Sequence, residues 1–68
     1  MDIAKVRNDN IHLICENLVA ARLLRCGEVA DEMMRLREFN HAQLAEILVE
    51  SAKQRMDYLK KLAVIGMN

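Results

Sequence analysis

The sequence predicts an all-α fold, an antiparallel helical hairpin that pairs with a second copy to form a four-helix bundle, and three observations carry that expectation. The first is composition. Hydrophobic residues make up 53% of the 68 residues, yet there is one Phe, one Tyr and no Trp, so the apolar content is mostly Leu, Ile, Val, Ala and Met. No Pro is present, and Gly27 and Gly66 are the two glycines, so the chain lacks the turn residues a multi-stranded sheet requires. The second observation is helical periodicity in the second half of the chain, and the third is a corner spelled out at Phe39 to Leu44.

The first arm is read as starting near residue 10. Asn8, Asp9 and Asn10 offer a choice of caps, and Ile11, Ile14, Cys15, Leu18 and Ala21 form one stripe at helical spacing. Residues 2 to 9 either extend this helix or fray. Carried forward at about 100° per residue, the stripe would include Arg22, Arg25 and Glu32, while Leu23, Cys26, Ala30, Met33 and Met34 move to an adjacent face. This phase change leaves two arrangements open. Either the helix bends or stops near Cys26 and Gly27, with a second segment from Glu28 to Glu38, or one long helix turns different faces to two neighbours. A helix-interior Gly costs only about 1 kcal/mol relative to Ala, so the expectation is one long helix, continuous or mildly kinked near Gly27.

The corner is the best-specified element. Asn40 can accept from the backbone N–H of Gln43 while the Gln43 amide reaches back to the Asn40 N–H, a capping box. Phe39 before the cap and Leu44 beyond it supply the hydrophobic staple that sets the angle of the incoming chain. The second helix follows over about residues 40–65, with Leu44, Ala45, Leu48, Ala52, Met56, Leu59, Leu62 and Ala63 on its main stripe. Asp57 ahead of Lys60 and Lys61 is the favourable acid-before-base order, and Gly66 reads as the residue just past the helix end. No repeat or linker interrupts residues 1–68, which are read as a single helical domain.

Such a chain is too short to be stabilised amply by one core, which at this size supplies roughly 3 to 5 kcal/mol. Two helices bury only the strip where they touch, and the first arm spreads apolar residues over more than half its circumference. The surplus is expected to meet a second copy or another protein, through Leu23, Cys26, Ala30, Met33 and Met34 on the first arm and Ile47 and Tyr58 on the second. In architecture alone the expected fold resembles the short α-hairpins of the Rop type, which dimerise into four-helix bundles; no motif is shared and no residue role follows from the likeness.

The residues that could carry chemistry do not converge. His12 and Cys15 stand one helical turn apart, with Cys26 and His41 further on, but on a continuous helix Cys15 and Cys26 would lie about 16 Å apart, too far for a shared metal or a disulfide. Ser51 is the only serine and there is no Thr, and neither His has a nucleophile and an orienting acid at a recognised spacing. There is no Gly-rich phosphate loop. The chain is therefore expected to be non-enzymatic, with no cofactor and no metal.

Ten basic and ten acidic residues give a net charge of zero, so no global field draws the protein to nucleic acid or to an anionic membrane. Arg22, Arg25, Arg35 and Arg37 cluster locally, Lys53, Arg55, Lys60 and Lys61 follow in the second helix, and either set makes nucleic-acid binding the alternative reading. Against it, Glu28, Asp31, Glu32 and Glu38 balance the set, with Asp31 and Arg35 as a ready pair one turn apart. A helix-turn-helix with Asn40 onward as recognition helix would present Gln43 and Glu46 but no Arg to read guanine. The N-terminus lacks a signal peptide's basic and long apolar regions, and no apolar run is long enough to span a membrane. These readings add up to a small cytoplasmic interaction protein, an adaptor, chaperone-like or regulatory subunit acting as a homodimer; size and the lack of any tail or tag suggest a prokaryotic or phage source.

Overall fold

The computed structural model describes residues 2–66, which form three helices, α1 (Ile3–Ala20), α2 (Val29–Leu36) and α3 (His41–Gly66), with one turn of 3-10 helix at Cys26–Glu28. No strand occurs among the described residues. The chain is all-helical, as its composition requires.

Helix α1 starts well before the expected caps. Asp2 is its N-cap, accepting hydrogen bonds from the backbone N–H groups of Ala4 at 3.1 Å and Lys5 at 3.3 Å. A carboxylate at the positive end of the helix dipole satisfies two orphan donors at once. Asn8, Asp9 and Asn10 consequently lie within α1 rather than capping it. The stripe expected on this helix is the one that is covered: Ile11, Ile14, Cys15 and Ala21 are buried and Leu18 is half-buried.

The expectation of one continuous or mildly kinked first arm is corrected by the way α1 ends. The Leu23 N–H reaches back to the Leu18 carbonyl at 2.9 Å and the Arg22 N–H to the Val19 carbonyl at 3.1 Å, the two bonds of a Schellman motif. Arg22, at the position where Gly is usual, has a φ of 63°. The chain therefore breaks at Ala21–Arg25 and not at Gly27, whose φ is negative. The break explains the phase change: doubling back brings Val29, Met33 and Leu36 onto Ile11, Ile14 and Cys15, where a straight helix would carry them off into solvent.

Helix α2 runs antiparallel to α1, so the hairpin is made by these two helices. Val29 and Met33 line one groove with His12, Cys15, Val19 and Ala20, and the Arg7 guanidinium donates to the carbonyls of Arg37 and Phe39 just past the end of α2. Those carbonyls have no partner within a helix, and a cation at the negative end of the dipole satisfies them. The Asn40 corner then reverses the chain again. The Gln43 N–H donates to Asn40 Oδ1 at 2.8 Å and the Asn40 N–H to Gln43 Oε1 at 3.0 Å, as the capping-box reading requires. Phe39 packs against the core that holds Leu44.

After two reversals α3 runs parallel to α1: Phe39 lies at Arg7, while Ser51 and Arg55 lie at Asn17. The core is the meeting point of all three helices, with Ile11, Ile14 and Cys15 from α1, Leu36 from α2 and Leu44 from α3, and with Leu18, Leu24, Val29, Met33, Phe39, Ile47 and Leu48 around it. Gly66 is still helical and does not act as the helix stop expected of it.

Candidate functional site

The face that α3 turns to α1 is not its most regular one. Leu44 and Ser51 are buried, and Ile47, Leu48, Gln54 and Tyr58 are half-buried. Of the main stripe expected to form the core, Leu44 and Leu48 do so. Ala45, Ala52, Met56, Leu59 and Ala63 face away from it and are exposed, and Leu62, in phase with Leu44 but about five turns further on, is exposed as well. The correction has a polar cause. Ser51 stands seven residues after Leu44 and seven before Tyr58, so a hydroxyl interrupts the stripe that packs inward, and the uninterrupted apolar stripe belongs to the outside.

Ser51 is held by a small interior network. The Asn17 amide donates to Ser51 Oγ at 3.2 Å, Ser51 Oγ donates to the Leu48 carbonyl at 2.9 Å, and Arg55 donates to Asn17 Oδ1 at 3.2 Å. Among the described residues no buried side-chain polar atom lacks a partner, so this network can sit inside a small core without an unmet polar group. Sequence reasoning passed over Asn17 and counted Arg55 only among the basic residues of the second helix. The available signal was phase: Asn17 follows Ile14 by three and precedes Ala21 by four, which places an amide in the middle of the buried stripe.

The outer face of α3 is built differently. Ala45, Val49, Ala52, Met56, Leu59 and Ala63 follow one another at intervals of four, three, four, three and four, the spacing of a coiled-coil seam. Leu62 borders it. Val49 is 57% exposed, Met56 56%, Leu59 49% and Leu62 46%, a contiguous apolar strip rather than scattered side chains. Val49, Ala52 and Met56 form the floor of a shallow groove edged by Lys53, Asp57 and Lys60. The strip runs on past the end of α1, because α3 has 26 residues and α1 has 18. Glu46, Lys53 and Lys60 line one margin and Leu48, Arg55 and Leu62 the other.

No family model, curated protein or solved structure matches this chain.

The seven residues expected at a dimer or partner interface divide into two groups. Leu23, Cys26, Ala30 and Met34 are exposed. Met33 and Ile47 pack against the chain's own core, and Tyr58 is half-buried in a groove with Ala21, Leu23 and Gln54. The structure thus uses part of that set inside the molecule.

The four arginines of the alternative reading are not one patch. Arg22 and Arg25 lie in the segment between α1 and α2, and Arg35 and Arg37 at the far end of α2. Arg35 is engaged by Glu32, with its Nε 3.2 Å from the carboxylate, and its guanidinium stands 5.5 Å from the centre of the Phe39 ring. Its expected partner Asp31 is passed over for the neighbour at i−3. Arg22, Arg25 and Arg37 are exposed.

Cys15 is buried in the core, and burial, with a further push from Glu32, raises its thiol pKa above the ordinary value. Cys26 is exposed. Among the described residues no group of three or more His, Cys, Asp or Glu side chains is gathered for a metal, and no helix is long and apolar enough to cross a membrane.

Proposed function

We propose that the chain is a small non-enzymatic helical interaction protein, an adaptor, chaperone-like or regulatory subunit, that works as a homodimer through the outer face of α3. One observation carries this reading: the most regular apolar stripe in the sequence, with Val49, Met56, Leu59 and Leu62 each about half exposed or more, is the face the fold leaves uncovered. An apolar strip of that continuity marks an interaction surface. Size supports it too. The fully buried apolar side chains are few, and a core of that size stabilises a chain this short only modestly, so the pairing of two copies would add burial that the monomer lacks. Two α1–α3 pairs joined along α3 would give a four-helix core, with α2 folded over its edge.

The nucleic-acid alternative has less in its favour, since Arg35 is occupied by Glu32 and the remaining arginines sit at opposite ends of α2. Sedimentation equilibrium at micromolar concentration tests the proposal. A dimer is expected for the wild type and a monomer of unchanged helical content for Leu59→Glu, whose side chain is 49% exposed. A wild type that stays monomeric at these concentrations would overturn the reading.

A further inference from the structure

Resting on the homodimer reading, we infer that the second copy lies antiparallel along α3, with the two-fold axis passing beside Gln54. The inference comes from the self-complementarity of the exposed stripe. In an antiparallel helix pair a residue a given number of places before the axis meets the residue the same number after it. About Gln54, Val49 meets Leu59, Ala52 meets Met56, and Ala45 meets Ala63. All six seam residues find an apolar partner and none is left over. The layers also match in size. Beside the axis a small Ala faces a long Met, farther out two branched side chains meet, and Ala meets Ala at each end, so the helices can approach closely along the whole seam.

The margins agree with the same axis. On one side Glu46, eight places before the axis, comes within a turn of the second copy's Lys60, six places after it, and the symmetry makes this contact twice, while Lys53 lies beside the axis within a turn of the second copy's Asp57. On the other side Leu48, six places before the axis, comes within a turn of the second copy's Leu62, eight places after it, again twice, which covers the half-exposed Leu62. Arg55 lies at the axis, where its guanidinium is already drawn toward Asn17. A parallel, in-register pair fares worse. It would set Arg55 against Lys60 twice and Leu48 against Lys53 twice, with no opposite-charge pair on either margin. Like charges across a seam disfavour that pairing.

Cross-linking tests the direction, in full-length chains whose exposed Cys26 is replaced by Ser. Val49 and Leu59 are ten residues apart, an axial offset of about 15 Å on a helix, so a homobifunctional thiol linker much shorter than that distinguishes the pairings. A mixture of Val49→Cys and Leu59→Cys chains is expected to cross-link as heterodimers, whereas each variant alone stays uncross-linked. Homodimer cross-links in the single-variant samples, or no cross-link in the mixture although sedimentation shows a dimer, would overturn the antiparallel register while leaving the homodimer intact. A wild type that sediments as a monomer would remove both. A charge swap gives a second readout: Glu46→Lys is expected to weaken dimerisation roughly tenfold, counting two symmetric contacts turned repulsive, and Lys60→Glu in the same chain to restore it. Equal weakening by the single and the double variant would speak against the register.

Discussion

Asn17 and Ser51 meet inside the α1–α3 seam, the amide of one donating to the hydroxyl of the other at 3.2 Å. Both are buried, and apart from the Arg55 hydrogen bond to Asn17 the residues packed between the two helices around them are apolar. A hydrophobic seam alone tolerates sliding by a turn, but a hydrogen bond with fixed partners does not, so this pair selects the parallel register of α1 and α3. Truncating Ser51 leaves the Asn17 amide N–H buried without its acceptor, and truncating Asn17 removes the bonds to both Ser51 and Arg55. Ser51→Ala or Asn17→Ala is expected to lower stability by about 1 to 3 kcal/mol. Asn17→Ala combined with Ser51→Ala is expected to cost less than the sum of the single changes, because the hydrogen bond between them is lost only once and no amide is left without its acceptor. Denaturant melts of the three variants check this, and strict additivity would show that the pair is not coupled.

Arg22 occupies a left-handed backbone position that ordinarily takes Gly. An L side chain there crowds the following carbonyl at a cost of roughly 1 kcal/mol, and the Arg22 side chain is exposed and makes no hydrogen bond among the described residues. Arg22→Gly is therefore expected to leave stability unchanged or raise it by up to about 1 kcal/mol, since the greater freedom of Gly in the unfolded chain offsets part of the relieved strain. Arg22→Val, with branching at Cβ, is expected to destabilise. Thermal melts of the two variants should move in opposite directions.

The corner at Asn40 was legible because everything that makes it is local: a cap, its reciprocal Gln43 three residues on, and apolar residues on either side. The break after α1 was not, and the reason is equally physical. A Schellman ending announces itself through Gly, and here the glycine falls five residues late, in the 3-10 turn, while an arginine takes the strained position. The sequence carried the break only indirectly, as the shift of the apolar stripe beyond Ala21. Helix direction was hidden for a related reason. Two reversals, not one, separate α1 from α3, so helices expected to be antiparallel are parallel, and the surface they leave open lies on α3. The regularity of the α3 stripe was read as the mark of a core. Periodicity reports a face that is apolar, and says nothing of whether the cover comes from the same chain.

Asn40→Ala removes the acceptor for the Gln43 N–H and is expected to cost about 0.5 to 2 kcal/mol. Gly at the same position should cost only a few tenths, because the backbone there is already outside the helix. The comparison separates the hydrogen bond from the conformation. A melting temperature for Asn40→Ala equal to that of the wild type would mean that the staple of Phe39 and Leu44 suffices to hold the corner.

The two thiols are expected to differ sharply in reactivity. Cys26 is exposed in the segment joining α1 to α2, while Cys15 is packed in the core and its pKa is raised, first by burial and then by the nearby charge of Glu32. Since the thiolate is the reactive form, both effects slow Cys15. In native buffer an aromatic disulfide reagent should label one thiol per chain quickly, and Cys26→Ser should abolish that phase; the second thiol should appear only as the chain opens, and faster in Leu36→Ala, where a cavity beside it loosens the core. The sign of the pH effect follows from the direction of the shift. A thiol whose folded pKa lies above its unfolded value favours folding fully below the unfolded value and loses that contribution as pH rises through the folded one, so alkaline melts should show a stability loss that Cys15→Ala, at its own constant cost, does not share. Prompt labelling of both thiols at neutral pH would mean that Cys15 is not enclosed by Leu36 and Leu44 in solution.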